Sequence, residues 1–280
     1  MRVTRSFGPS TCSLVHELRA GARQLRVHVD LDWQHDEHLL SIAFPLDVRT
    51  ESASCDVQFG VVGRPTHPSS PWDAAKFEVC AHRFVDVSEP EFGVAVLNTG
   101  RYGHSVFDGA IRVSLARAAR YPDPSADLGS HRVTLGLCCH GPGLADVRAA
   151  ASRLNAPLRY AIGEPRSQEA LDAPIVRVVG ADGRAAPGVG VDAVKVADDG
   201  SGDLIVRVHE HLGNRTRLSI IARHRVAAAW RCNLLEEPEI GPSGEEVGDG
   251  IVAVTLRPFQ LVTMRLRLAA DRSDGRTLDD

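Results

Sequence analysis

Alternation of apolar and polar residues runs through most of this 280-residue chain. The clearest run is Leu25–Trp33, LRVHVDLDW, in which every second residue is apolar. A period of two places alternate side chains on one face of an extended strand, so that one face is buried while the other meets water. The runs Cys55–Val61, Ala110–Ala116 and His131–Cys139 alternate in the same way. We therefore expect a chain built mainly from antiparallel strands.

One stretch, Leu144–Leu154, has helical character. It is rich in alanine, carries apolar residues at helical spacing, and is followed by Pro157. Residues 161–173 are polar and irregular, which is typical of a linker. Seven short runs then follow, separated mostly by Gly, Pro, Asp or Asn, as in a compact antiparallel sandwich. These runs are Ile175–Val179, Val191–Val196, Leu204–His209, Thr216–Ile221, Val226–Trp230, Ile251–Leu256 and Leu261–Leu268.

These patterns predict an all-β chain in three parts. A large β-rich domain covers residues 1–165 and has one short helix near its end. A small terminal β-sandwich covers residues 172–269, and the charged residues 270–280 are expected to be a disordered tail. Within the first domain, we predict a loop at Ser6–Ser10 and a single strand at Lys76–Phe84.

Composition and charge exclude several classes of function. A net charge of -4 lacks the basic excess that is usual for nucleic-acid binding, so no nucleic-acid partner is expected. No apolar run approaches the ~20 residues that cross a bilayer as a helix, and no secretion signal follows Met1, so no membrane partner is expected. The six cysteines form no CxxC pair, which favours free thiols and a cytoplasmic setting.

The histidine-rich segments do not have the spacing of known metal motifs. Gln34–His38 differs from HExxH and lies between two predicted strands, which favours a solvated turn. His209 and His211 flank Glu210 on a predicted strand and share one face, where a polar edge strand is preferred over a metal site. The chain also lacks a GxSxG elbow. We therefore assign no metal ligand and no catalytic residue.

The segment Arg64–His104 interleaves aromatic, basic and acidic residues in predicted loops and at strand ends. Such loops on a β scaffold are common places for binding sites. The aromatic rings could stack on a sugar while charged neighbours bond its hydroxyl groups; buried ion pairs and interface contacts are an equal alternative. The candidate residues for either role are Arg64, His67, Trp72, His82, Arg83, Asp86, Asn98 and His104.

This segment also resembles a known family. Its blocks are similar in order and content to the carboxyl-terminal, β-rich region of glycoside hydrolase family 38 α-mannosidases, in particular their cytosolic and bacterial branch. The resemblance extends over about residues 25–268. The blocks begin at Arg64 (RPTH), Trp72 (WD), Phe77 (FEV), Ala81 (AHRF), Asp86 (DVSE), Phe92 (FGVAVLN), Arg101 (RYG), Tyr121 (YPDP), Asp127 (DLGSH), Leu204 (LIVRVHE) and Pro258 (PF).

The resemblance implies both a fold and a function. The fold would be a large antiparallel β supersandwich of the galactose-mutarotase type followed by a small antiparallel β-sandwich. Family members are retaining enzymes that hydrolyse terminal α-linked mannose, and their zinc and Asp nucleophile belong to an amino-terminal part whose motifs we do not find in this chain. The chain would then hold no cofactor and would be inactive alone. Its partners would be that catalytic domain and an α-mannoside substrate.

In the family, the β-rich part helps to wall the sugar site. By this resemblance, Arg101 and Tyr102 in the loop after Asn98 would bind substrate. Thr99 stands where the family usually has an acidic residue, so we assign no acid role to the loop. Two alternatives stay open: a stand-alone carbohydrate-binding module, and a structural module that uses the Arg64–His104 region as an interface, for instance in an oligomer.

Overall fold

The computed structural model shows two compact units, Met1–Tyr160 and Ala161–Asp280, each containing two antiparallel sheets. The residues that the structure describes are 1–160, 162, 174–239, 247–248 and 250–269. The predicted all-β, antiparallel fold class is confirmed. Most of the predicted linker and all of the predicted tail lie outside the described residues.

The first unit is built from a larger and a smaller sheet. Its elements are β1 (Arg2–Phe7), β2 (Ser10–Leu18), β3 (Gln24–Trp33), β4 (Leu39–Pro45), β5 (Ser52–Val57), β6 (Gly60–Pro65), α1 (Pro71–Ala74), β7 (Val79–Cys80), β8 (Phe84–Ser88), β9 (Gly93–Asn98), β10 (Gly103–Phe107), β11 (Ala110–Arg117), β12 (Gly129–His140) and α2 (Ala145–Asn155). The larger sheet has the order β1-β2-β3-β12-β9-β8-β5-β6, and the smaller has the order β4-β11-β10-β7.

The alternating residues of β3 form part of the core of this unit. Val27, Val29 and Leu31 are at most 3% exposed and belong to one apolar cluster with Ile111 and Val113 of β11. The intervening polar residues of β3 lie on the opposite face, as a period of two requires. The alternation therefore predicted which face of this strand is buried.

Strand β9 is buried along its whole length, because both of its faces are covered. Val96 packs in the core between the sheets. Ala95 and Leu97 point the other way and pack with Val147 of α2. The continuous apolar run in the sequence follows from this double cover. The helix that covers the outer face, α2, is the predicted helix, and each of its ends lies one residue later than predicted.

Two local predictions in the first unit are wrong. Ser6–Ser10 is not an open loop, because β1 and β2 form a hairpin in which Phe7 is paired with Ser10. Lys76–Phe84 is not one strand. Its residues Val79–Cys80 pair with β10 in the smaller sheet, whereas β8 pairs with β9 in the larger one, so the chain crosses between sheets and must break its strand. Helix α1, which was not predicted, begins after Ser70, whose hydroxyl accepts from the Asp73 amide.

The second unit consists of two four-stranded sheets. Its strands are β13 (Val176–Gly180), β14 (Val189–Val196), β15 (Leu204–Glu210), β16 (Thr216–Ala222), β17 (Val226–Cys232), β18 (Val247–Gly248), β19 (Ile251–Leu256) and β20 (Leu261–Leu268). The sheet orders are β13-β16-β19-β18 and β14-β15-β20-β17. Buried residues from both sheets, including Val206, Leu218, Val254, Met264 and Leu266, form one core.

The predicted edge-strand position is wrong for His209, and His211 lies just beyond the end of that strand, β15. Strand β15 pairs on one side with β14 and on the other with β20, so it is an interior strand. Both imidazoles belong to residues that are 8% exposed, and His209 Nδ1 lies 2.7 Å from Asp192 Oδ2. Among the described residues, no group of three His, Cys, Asp or Glu side chains could hold a metal ion.

Glu210, the last residue of β15, accepts hydrogen bonds from two turns. Its fully buried carboxylate accepts hydrogen bonds from the backbone amides of Leu212 at 2.9 Å, Gly213 at 2.8 Å and Phe259 at 3.0 Å. Burial alone would raise the pKa of Glu210, but the amides that it accepts from outweigh burial and lower this pKa below its ordinary value of 4.5. The ionised carboxylate therefore stabilises both turns.

We expect Glu210→Gln to lower the free energy of unfolding of the second unit by about 1.5–3 kcal/mol at pH 7, because a charged acceptor is lost and a buried NH₂ group then opposes backbone donors. The loss should shrink as the pH falls through the lowered folded pKa, since the stabilisation is present only above it. Urea unfolding at several pH values measures this. The control is Glu237→Gln at an exposed position, where a change within about 0.5 kcal/mol is expected. Equal losses in the two variants would contradict the assignment.

Candidate functional site

The loop Thr99–Tyr102 joins β9 of the larger sheet to β10 of the smaller one and carries both residues implicated in substrate binding. Asn98, which is fully buried, holds its backbone in place. Asn98 Oδ1 accepts from the amides of Gly100 at 2.9 Å and Arg101 at 2.8 Å, and Nδ2 donates to the His82 carbonyl at 2.8 Å. Gly100 has φ +122°, a conformation that favours glycine. Asn98 is thus a support of the loop and is not available to a ligand.

The Tyr102 side chain is exposed and contacts one neighbouring ring. Its ring is 49% exposed and lies 5.2 Å from the His82 ring, centroid to centroid, at an angle of 54°. Its carbonyl accepts from the Ala81 amide at 3.0 Å and lies 3.0 Å from His104 Nδ1. The backbone of Tyr102 is therefore fixed, while one side of its ring stays open to solvent.

His104 contacts the backbone of this loop from a buried position. It is fully buried, and its Nδ1 must carry the proton, because the Tyr102 carbonyl can only accept. Burial lowers the pKa of His104, so the neutral imidazole is favoured. Its Nε2 has no hydrogen-bond partner in the part of the chain that the structure describes. Like Asn98, it cannot touch a ligand from this position.

Arg101 is half-buried and turns toward β12. Its Nη2 lies 3.0 Å from His131 Nδ1, and its Nε is buried without a hydrogen-bond partner among the described residues. Within the same residues, no carboxylate oxygen lies within 4.0 Å of its guanidinium nitrogens, in contrast to Arg83 and Arg148, which both contact Asp56. Arg101 therefore keeps donors and a positive charge that no neighbouring carboxylate neutralises.

A buried ion cluster is connected to the loop through Arg83 and Asn98. Asp56 on β5 is fully buried and accepts from Arg83 Nε at 2.9 Å, from the Arg83 amide at 3.0 Å and from Arg148 Nη1 of α2 at 3.1 Å. The Arg83 carbonyl in turn accepts from the Asn98 amide at 3.0 Å. Sequence reasoning selected Arg83 but missed Asp56 and Arg148. The alternation in β5, which turns Asp56 away from the buried Cys55, was the available signal.

Asp86 belongs to a second buried cluster and not to the loop. His140 Nε2 lies 2.7 Å from Asp86 Oδ1, and Ser88 Oγ donates to Asp86 Oδ2 at 2.7 Å. His140 Nδ1 lies 2.7 Å from the Gly141 carbonyl, so both ring nitrogens face acceptors and the imidazolium is favoured. In agreement, the hydrogen bond to Asp86 raises the pKa of His140. Asp86 is 1% exposed and is therefore unavailable to a sugar.

The three remaining candidates lie on or after β6. Arg64 donates from Nη2 to the Cys80 carbonyl at 3.2 Å. His67 is exposed and contacts Ser69, and Trp72 of α1 is 80% exposed. No hydrogen bond or ring contact among the described residues links His67 or Trp72 to the Thr99–Tyr102 loop. The structure thus gathers one group around the loop: Arg101, Tyr102, His82, with Asn98, His104 and Arg83 as supports.

Two family models match the chain. "Glycosyl hydrolases family 38 C-terminal domain" covers residues 1–125, and "Glycosyl hydrolases family 38 C-terminal beta sandwich domain" covers residues 188–264. The chain belongs to the carboxyl-terminal region of glycosyl hydrolase family 38. The resemblance drawn from the blocks between Arg64 and Pro258 is therefore confirmed.

Known proteins agree with this family 38 assignment. "Alpha-mannosidase 2C1" of Homo sapiens is 35% identical over 256 residues, which cover 90% of this chain and 24% of that protein. "Alpha-mannosidase" of Saccharomyces cerevisiae is 29% identical over 254 residues, or 84% of this chain and 23% of that protein. The chain thus spans about a quarter of the length of the curated relatives that it matches.

A solved structure has the same fold. An α-mannosidase from Enterococcus faecalis V583 superposes with a TM-score of 0.73 at 24% identity, over 92% of this chain and 29% of that one. The similarity supports the fold of this family 38 region. No helix in its described part is long and apolar enough to span a membrane.

Proposed function

We propose that this family 38 region forms one wall of an α-mannoside site and packs on an amino-terminal catalytic domain that carries out the chemistry. In this proposal, Tyr102 and Arg101 contact the sugar. The catalytic domain supplies zinc and the Asp nucleophile for retaining hydrolysis of terminal α-linked mannose. The whole protein acts in the cytoplasm, which is consistent with six cysteines that are all free.

The observation that carries the proposal is the contrast between a fixed backbone and unused side-chain groups in the Thr99–Tyr102 loop. Asn98 and His104 hold the loop from buried positions, so little entropy is lost when a ligand binds. Tyr102 offers an open ring face on which a sugar can stack. Arg101 keeps nitrogen donors that no carboxylate among the described residues occupies. A sugar hydroxyl can accept from Nη1, whereas Nε is buried and Nη2 faces His131.

The experiment is an NMR titration of the chain with methyl α-mannoside. We expect shift changes at His82 and at residues 99–104, and we expect Tyr102→Ala to weaken binding about tenfold or more, or about 1.4 kcal/mol. The matched control is Tyr121→Ala, since Tyr121 is 89% exposed and lies in the segment between β11 and β12. No binding by the unmodified chain, or equal losses in the two variants, would contradict the sugar-wall role.

A second measurement tests whether this region can hydrolyse a mannoside without the catalytic domain. The chain is expected not to hydrolyse an aryl α-mannoside, with or without added zinc, because its described residues contain no three-ligand metal group. Turnover by this chain would show that the catalytic groups are within it.

An interface role is the second candidate, favoured by one observation. Trp72 and Phe77, which are 80% and 81% exposed, lie close together in sequence between β6 and β8. Large exposed aromatic residues are enriched at protein interfaces. Under this alternative, Trp72→Ala would weaken self-association or the contact with the catalytic domain, as measured by sedimentation, and would leave mannoside binding unchanged.

A further inference from the structure

We propose that His131 positions Arg101 and does so only as a neutral imidazole, so that protonation of His131 releases the guanidinium and weakens ligand binding at the Thr99–Tyr102 loop. The inference rests on the proposed contact between Arg101 and the sugar. It adds a residue on another strand, β12, and a dependence on pH.

The proton positions follow from the two contacts of the ring. Arg101 Nη2 can only donate, and it lies 3.0 Å from His131 Nδ1, so Nδ1 must be an unprotonated acceptor. The Asp127 carbonyl can only accept, and it lies 2.7 Å from His131 Nε2, so Nε2 must carry the proton. The neutral tautomer with hydrogen on Nε2 is the one ring form that satisfies both partners.

Asp127 holds the ring in this orientation. Its backbone has φ +61°, and its carboxylate accepts from the Arg117 amide at 2.7 Å. The Asp127 carbonyl is therefore directed at His131, while its carboxylate is engaged by the end of β11. The ring has no freedom to exchange the roles of its two nitrogens without losing one of the contacts.

Groups from two neighbouring segments face the His131 ring. In the described contacts, the Arg101 guanidinium faces His131 from the β9–β10 loop, and Asp127 faces it from the segment between β11 and β12. On β3, the register partner of His131 is the buried, apolar Leu31. An imidazolium would set an N–H group against an N–H group and one positive charge against another. Arg101, rather than the strand-bound His131, is the group that can move away.

Two other histidines of this unit show that their surroundings favour different ring forms. His140 has acceptors at both nitrogens and is favoured as a cation. His104 is buried beside one carbonyl and is favoured as a neutral ring. His131 instead accepts from a cation, so its protonation has a direct effect on the site loop.

The test combines ring NMR with binding. At pH 8, the ¹⁵N signals of His131 should show a protonated Nε2 and an unprotonated Nδ1. Methyl α-mannoside affinity should fall about tenfold between pH 8 and pH 5. In His131→Asn, the amide oxygen lies where Nδ1 was and can accept from Arg101 at either pH, so affinity should be kept and its dependence on pH should disappear. His224→Asn, at an exposed position in the second unit, is the matched control and should keep the dependence.

The outcomes separate this inference from the proposed function. A cationic His131 at pH 8, an Nδ1–H tautomer, or a pH dependence that persists in His131→Asn would overturn the positioning role. The last result would assign the pH dependence to a group other than His131. If the chain binds no mannoside at pH 8, the sugar-wall proposal fails. The positioning role of His131 is then tested by the NMR signals of the Arg101 side chain alone. The positioning role requires slowed Nη exchange at pH 8 that is lost at pH 5 in the unmodified chain but not in His131→Asn.

Discussion

Asp56→Asn is expected to lower the free energy of unfolding of the first unit by about 3–5 kcal/mol, because it removes the buried negative charge that Arg83 and Arg148 contact. The Asp56 carboxylate is fully buried and is shared by Arg83 and Arg148, of which Arg148 is 4% exposed. An asparagine of the same size keeps one acceptor but turns an NH₂ group toward a guanidinium. Urea unfolding together with hydrogen exchange of α2 and β5 measures the loss.

Two controls belong with Asp56→Asn. Strands β15 and β20 of the second unit serve as an internal reference in the same hydrogen-exchange experiment. Asp36→Asn removes a surface pair with Arg120, in which the side chains are 46% and 60% exposed, and should cost about 1 kcal/mol or less. If both variants cost the same, Asp56 does not hold the cluster together.

Gly93→Ala should destabilise the first unit by on the order of 3 kcal/mol. A Cβ atom at Gly93 would lie 2.2 Å from Ser88 Oγ and 2.4 Å from His140 Nε2, so the Asp86–His140 pair must separate or β9 must shift. Unfolding of the variant and of the unmodified chain is compared by urea titration.

The Gly93→Ala loss should depend on pH in a defined direction. Hydrogen bonding to Asp86 raises the pKa of His140 above its ordinary value of 6.5, so the pair stabilises the fold fully below that value and less as the pH rises through the raised folded pKa. The deficit of the variant should therefore shrink toward high pH. Gly141→Ala is the control, because a Cβ there meets nothing within 4 Å. A deficit in Gly141→Ala as large as that in Gly93→Ala would refute this account.

Local patterns in the sequence predicted the parts of the fold that depend on local physics. The alternation in Leu25–Trp33 and the unbroken apolar run Gly93–Asn98 correspond to a strand with one buried face and a strand with two. The alanine-rich helix was placed within one residue. In these cases burial follows from the order of residues along a single element.

The partners of charged residues could not be predicted in the same way. Asp56 and Arg148 are separated by 92 positions, and Arg101 and His131 by 30. Their pairing depends on which strands become neighbours, and no local period encodes that order. Asp86 was grouped with the loop residues because it is close to them in sequence, whereas the pleat turns it toward His140 instead.

The hydrogen bonds of Asn98 also constrain how this region can vary between related proteins. Because Oδ1 accepts from the amides two and three positions further along, the number of residues between β9 and Tyr102 is set by one side chain. An inserted or deleted residue would bring a different amide to that oxygen and displace Tyr102. The exposed Thr99 side chain takes no part in these two bonds, and its hydroxyl instead accepts from the Thr134 amide of β12 at 3.0 Å. Substitution can thus change the chemistry of the loop while its length stays constant.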